Sequence, residues 1–206
     1  MEIPARNELL GMFKRYGVPG NIVLHCKTVE KVSVYIAKAL QKKGVKLDIK
    51  LVEALSLVHD MFKAATLGEL KEDKFYKSSK PTKKELQMQM WFKMKYPGLH
   101  EGKIAYEMFK DNYSDFARSI TRESTWEKEI YEEKLIEEKI VSYVDTRVFL
   151  DKILMMKERT DDLEKRYSHL RKNKEWNEEK KYRQQLEKEI FSKLDFSPLT
   201  LKKRIN

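Results

Sequence analysis

Residues 51–62 read Leu51-Val52-Glu53-Ala54-Leu55-Ser56-Leu57-Val58-His59-Asp60-Met61-Phe62. Apolar side chains fall on nearly every face of the helix this stretch would form, and a helix of that kind is a buried one. His59 and Asp60 stand side by side at its end. Polar groups are costly to remove from water unless something pairs with them there. A divalent cation is one such partner, because it accepts an imidazole nitrogen and a carboxylate oxygen and holds both deprotonated. The chain offers matching ligands in similar apolar surroundings: His25 in Ile22-Val23-Leu24-His25-Cys26, and Asp145 in Ile140-Val141-Ser142-Tyr143-Val144-Asp145.

The neighbouring segments are consistent with helices around this one. Residues 6–16 suit a short helix ended by Tyr16-Gly17-Val18-Pro19-Gly20. Asn21 is the expected N-cap of a helix over 22–43, whose apolar residues Val29, Val32, Ile36, Ala39 and Leu40 recur at three and four. Gly44 stops it, and Asp48 caps the helix that carries His59-Asp60. Two such helices joined by a short turn run antiparallel, which brings His25 and His59 to the same end.

Further along, residues 68–84 are polar and rich in lysine. Thr82-Lys83-Lys84-Glu85 fits a capping box that opens a helix reaching Lys95. After Tyr96-Pro97-Gly98, a helix begins near His100-Glu101 and turns Ile104, Ala105, Met108 and Phe109 inward, and another spans 115–122. From Trp126 to Met156 the pattern predicts one long helix or two, with Asp145 inside; Trp91 and Trp126 are expected in the core. Residues 161–189 are densely charged along a thin apolar stripe, which suits an amphipathic helix or helical hairpin.

Composition agrees. The 206 residues include only 7 Gly and 5 Pro, most of them between periodic segments, so the expected fold is all-α. The expected organisation is a helical bundle over residues 1–158 and a charged helical extension over 159–206. No apolar run is long enough to span a bilayer, no secretory leader is evident, and the single Cys26 excludes an internal disulfide. These features lead to the expectation of a cytoplasmic protein without a membrane partner. The formal net charge of +10 favours anionic partners without choosing among them.

The order His25, His59-Asp60, Asp145, each on an apolar helix, resembles the HD-domain superfamily of metal-dependent phosphohydrolases over residues 19–157. The best stretches are residues 19–29 and 54–63. Many members continue the pair with Ile-Gly-Lys, where this chain has Met61-Phe62-Lys63; a side chain at 62 in place of Gly narrows the approach to the site. The resemblance implies a divalent metal held by His25, His59, Asp60 and Asp145, its identity open among Mn, Fe, Co, Ni, Zn and Mg. It implies hydrolysis of a phosphate ester or phosphodiester, with a nucleotide as the expected substrate.

Asp60, Lys63 and His100 are then the catalytic set. Lys63, three residues after Asp60, and Arg147, just beyond Asp145, are the expected phosphate contacts. His100 is the only histidine between the His-Asp pair and Asp145, which suits a substrate contact or a supporting group better than a second metal site. Two other readings stand beside this one. The first is a nucleic-acid-binding protein using the Lys-rich 71–84 segment and the basic C-terminal helix, its HD site auxiliary or vestigial. The second is a helical scaffold or homo-oligomer joined through that C-terminal helix.

Overall fold

The computed structural model describes residues 1–125 and 128–205, and its architecture is an all-α bundle. Helix α1 (Arg6–Arg15) leads into the long α2 (Gly20–Lys42). Pro19, not Asn21, is the N-cap of α2; Asn21 lies inside the first turn, and its side-chain oxygen is buried without a partner. Val29, Val32, Ile36, Ala37 and Leu40 line one face of α2 and are fully buried. Gly44 takes a positive φ of 83° and ends the helix.

Asp48 caps α3 (Ile49–Val58) by accepting from the backbone of Lys50 at 2.8 Å. Seven of its ten residues are buried, as expected for a helix apolar all round. The helix stops before the His59-Asp60 pair that the sequence places in it. His59 is the C-cap, and residues 59–62 form a turn closed by bonds from Met61 N to Val58 O and from Lys63 N to Asp60 O. The turn sends Met61 and Phe62 into the core, buries His59 beside them and leaves Asp60 partly exposed. A one-turn helix, α4 (Lys63–Thr66), follows.

The capping box of Thr82 and Glu85 opens α5 (Lys83–Lys95), and Gly98, at φ 72°, helps turn the chain after it. Trp91 on α5 is 41% exposed, contrary to the expectation of a core position; it packs edge-on against Phe92 and under Lys95. Helices α6 (Glu101–Phe109) and α7 (Ser114–Glu123) pack on each other. The expected core position of Trp126 falls outside the described residues. The segment read as one or two helices holds α8 (Lys128–Glu133) and α9 (Ile136–Asp145), then a short antiparallel hairpin of β1 (Val148–Phe149) and β2 (Lys152–Ile153). Asp145 is thus the last residue of α9.

Helices α2 and α3 pair closely, and α9 lies against both, so the end of α3, the end of α9 and the first turns of α2 meet. The C-terminal segment is α10 (Met156–Arg166), a 3-10 turn, α11 (Lys174–Phe191) and, after a second 3-10 turn, α12 (Leu201–Ile205). It is helical as expected, and its apolar side chains dock on the bundle. Leu186, Ile190, Phe191, Phe196 and Leu201 belong to the same buried cluster as α2, α3 and α9, and α11 packs on α9. No described helix is long and apolar enough to cross a membrane.

Candidate metal centre

His25 comes from the second turn of α2, His59 and Asp60 from the turn after α3, and Asp145 from the end of α9. The fold brings all four together. His25 Nε2 lies 3.1 Å from His59 Nε2, 3.0 Å from Asp145 Oδ1 and 3.7 Å from Asp60 Oδ2. His59 Nε2 lies 3.6 Å from Asp145 Oδ1. One ligand atom each from His25, His59 and Asp60 falls within 4.8 Å of the other two. Nitrogen and oxygen ligands about 2.0–2.2 Å from a shared cation, at angles of about 90–120°, stand about 2.9–3.7 Å apart. These contact distances lie in that range, and His25, His59 and Asp60 form a group that could hold a divalent cation, with Asp145 beside the two imidazoles.

The ring of His59 is fixed from behind. Its Nδ1 lies 2.8 Å from the carbonyl oxygen of Ser56. A carbonyl only accepts, so Nδ1 carries the hydrogen and Nε2 is the atom presented to the centre. Ser56 in turn donates its hydroxyl to Val52 O at 2.7 Å, inside the same buried helix.

Charge is tightly balanced here. Burial works against a charged His59, but the nearby Asp145 carboxylate and the charges of Asp60 and Glu123 outweigh that and raise its pKa to about 10. Burial also works against an ionised Asp145 and Asp60. Asp145 is nevertheless held well below the usual carboxylate range by His25 and His59, and Asp60 is lowered by Lys63, His59 and His25. Cys26, beside His25, is fully buried, and burial drives its thiol well up, away from a nucleophilic thiolate.

Lys63 sits beside the cluster, 3.6 Å from Asp60 Oδ1, and donates to Glu101 Oε1. Glu101 is only 3% exposed and also accepts from Thr66 Oγ1. His100 is 58% exposed at its side chain; its Nδ1 accepts from Gly102 N and caps α6, while Nε2 stands 3.4 Å from Glu101 Oε1. His100 therefore lies outside the ligand group and reaches it only through Glu101 and Lys63.

Arg147 does not have the role its position suggested. It is 1% exposed and directed away from any open approach. Its guanidinium donates to the Tyr143 hydroxyl, to Glu187 at 2.9 Å and to the carbonyls of Leu154 and Pro198. It ties α9 to the C-terminal segment and is not a phosphate contact.

Sequence reasoning missed two buried carboxylates. One is Glu101. The other is Glu123, at the end of α7, whose pKa burial raises to about 7 against the opposing charges of His59 and Lys134. Ser142 bridges it to Lys134, which donates to Ser142 Oγ at 3.0 Å and to the Glu123 carbonyl at 2.8 Å. Burial in turn lowers Lys134 to about 8. A charged residue at a helix end is ordinarily solvated, so only tertiary structure could single these out.

No family model matches the chain, and no curated protein or solved structure does either.

Proposed function

We propose that the chain is a metal-dependent phosphohydrolase of the HD type, acting on a phosphate ester or phosphodiester such as a nucleotide. The observation that carries this reading is the convergence of His25, His59 and Asp60 in a group that could hold a cation, with Asp145 against the two imidazoles. A buried imidazole pair with two carboxylates, one side of it open through the half-exposed Asp145, is an unusual way to end an apolar helix unless the groups act together. A divalent cation bound there would lower the pKa of a water molecule and polarise a phosphoryl oxygen.

The chain's own residues supply the remainder. The Ser56 carbonyl sets the His59 tautomer. Asp60 and Asp145 bring the negative charge that offsets the cation. Lys63, held by Glu101, keeps a positive charge at the edge of Asp60, where an anionic substrate would approach. Tyr16, Phe62 and Phe92 pack as a ring cluster that fixes the turn from the inside.

The test is elemental analysis of the purified protein followed by a hydrolysis screen. The screen would use nucleoside mono-, di- and triphosphates, cyclic nucleotides and model phosphodiesters, each with several divalent metals. Turnover that requires metal and disappears in Asp60→Ala is expected. A fully loaded protein that turns over none of these compounds while binding RNA or DNA tightly, with strong salt dependence, would give the function to nucleic-acid binding instead.

A further inference from the structure

Arg159 lies one turn into α10, and its guanidinium is only partly used. Nη1 donates to Asp162 Oδ2 at 3.0 Å. Nε is buried and has no acceptor, and Nη2 makes no hydrogen bond to a described residue. Nε and Nη2 form the side-on edge of the group, two parallel donors that match two oxygens of a carboxylate or phosphate. A buried charged donor without an acceptor is costly to leave unmade, because neither protein nor bulk water compensates it.

The guanidinium stands on the segment that follows Asp145. The hairpin β1–β2 leaves α9 directly after Asp145, and Leu154 N closes it onto Arg147 O at 2.7 Å before α10 begins. The Arg159 guanidinium lies 5.3 Å from the ring centroid of Phe149 in that hairpin. Burial lowers the pKa of Arg159 while the charge of Asp145 resists, so the two groups are in electrostatic reach of each other. The guanidinium of Arg147 has its acceptors within the chain, whereas that of Arg159 has an edge to spare.

We propose that Arg159 binds the phosphate of the compound processed at the metal centre, through Nε and Nη2, and so fills the place that sequence spacing gave to Arg147. The proposal rests on the phosphohydrolase reading above. Its ligand chemistry is a tetrahedral oxyanion, two of whose oxygens would accept from Nε and Nη2. Asp162 holds the guanidinium by its far nitrogen and orients it.

The probe is inorganic phosphate, titrated into the full chain with and without Mn(II) and followed by calorimetry and by phosphorus resonance broadening. Metal content and melting temperature are measured on the same samples. Arg159→Lys keeps the charge and loses the fork. It should weaken phosphate binding about tenfold or more while metal content stays at the wild-type level; Arg159→Gln should do at least as much. Asp162→Asn removes the orienting contact and leaves the fork, so it should weaken binding less.

Wild-type protein that binds no metal, yet binds phosphate in an Arg159-dependent way, would keep the oxyanion site and remove the metal reading. Phosphate binding equal in wild type, Arg159→Lys and Arg159→Gln would overturn the proposal, as would a wild type that binds no phosphate at all. An equal loss in Asp162→Asn and Arg159→Lys would also overturn it, because that pattern belongs to a structural ion pair.

Discussion

The Nε2 atoms of His25 and His59 face each other at 3.1 Å, although 34 residues separate them in sequence. Two imidazole nitrogens at that distance cannot both present a lone pair, so a hydrogen or a cation belongs between them. The Nδ1 hydrogen of His59 is committed to the Ser56 carbonyl and cannot serve. The Asp145 carboxylate stands 3.0 Å from His25 Nε2, able to accept a hydrogen carried there. A divalent cation there would accept both nitrogens together with the Asp60 carboxylate.

One divalent ion per chain is therefore expected in protein purified without chelator. His59→Ala and Asp60→Ala should each reduce metal content to background, since the remaining ligands leave too few contacts to hold it. Elemental analysis checks this. Equal metal content in wild type and Asp60→Ala would place the ion elsewhere.

Metal uptake should release protons. His59, with its pKa raised to about 10 in the metal-free chain, is charged at pH 7 and must lose its proton to become a ligand. Affinity should then rise with pH, and the rise should flatten near pH 10. Calorimetric titration in two buffers of different ionisation enthalpy should give enthalpies that differ by about one proton's worth; identical enthalpies would contradict it. Stability follows the same sign. A base whose folded pKa is raised stabilises the fold fully below its unfolded value of about 6.5 and loses that contribution as pH rises toward about 10. The metal-free protein should melt at falling temperature from about pH 7 to 10, with a smaller fall in the loaded protein.

The all-α class, the α2–α3 pair, the Asp48 cap and the Thr82–Glu85 box were legible because each is a local pattern with a local cause. The four ligand candidates were legible for a related reason: polar residues in apolar helices stand out. What could not be read locally was where charge goes when the chain folds. Arg147 sits two residues past Asp145, and nothing nearby says that Glu187, forty residues on, will bury it. Glu101 looks like a helix-start acid until Lys63 reaches it across 38 residues. The hairpin at 148–153 leaves no mark in the sequence, because two-residue strands are too short to show alternation. Trp91 was misplaced because α5 carries apolar residues on both faces, and sequence alone does not say which face packs.

The C-terminal segment should be required for the fold. Leu186 and Ile190 are fully buried against the core, and Glu187 receives Arg147 and the Tyr143 hydroxyl. Leu186→Ala should cost about 2–5 kcal/mol. Glu187→Ala should cost about 2–3 kcal/mol, at the low side of a broken buried pair, because the Glu187 side chain is 25% exposed and Arg147 keeps its carbonyl acceptors. A chain ending after residue 158 should fail to fold cooperatively. Urea midpoints of the point variants and a thermal melt of the truncation measure this. A truncation that melts as sharply as the full chain would show the extension to be dispensable.

Lys63 and Glu101 should behave as one unit. Glu101 is 3% exposed, and its charge is held by Lys63, with Thr66 Oγ1 at 3.2 Å as a second donor. Lys63→Met leaves that carboxylate buried beside Asp60 with no cation near it. The expected loss is about 2 kcal/mol, less than for a fully enclosed pair because a removed charge at a half-exposed position is partly replaced by water. Glu101→Gln should be milder, since Lys63 keeps Asp60 at 3.6 Å. The double variant Lys63→Met with Glu101→Gln should recover much of the stability lost by Lys63→Met alone, which a double-mutant cycle on urea midpoints would report as a coupling of about 1–2 kcal/mol. Metal content should stay at the wild-type level in all three, because neither residue is among the ligands. Loss of metal in Lys63→Met equal to that in Asp60→Ala would show instead that Lys63 builds the centre, by holding Asp60 in its place.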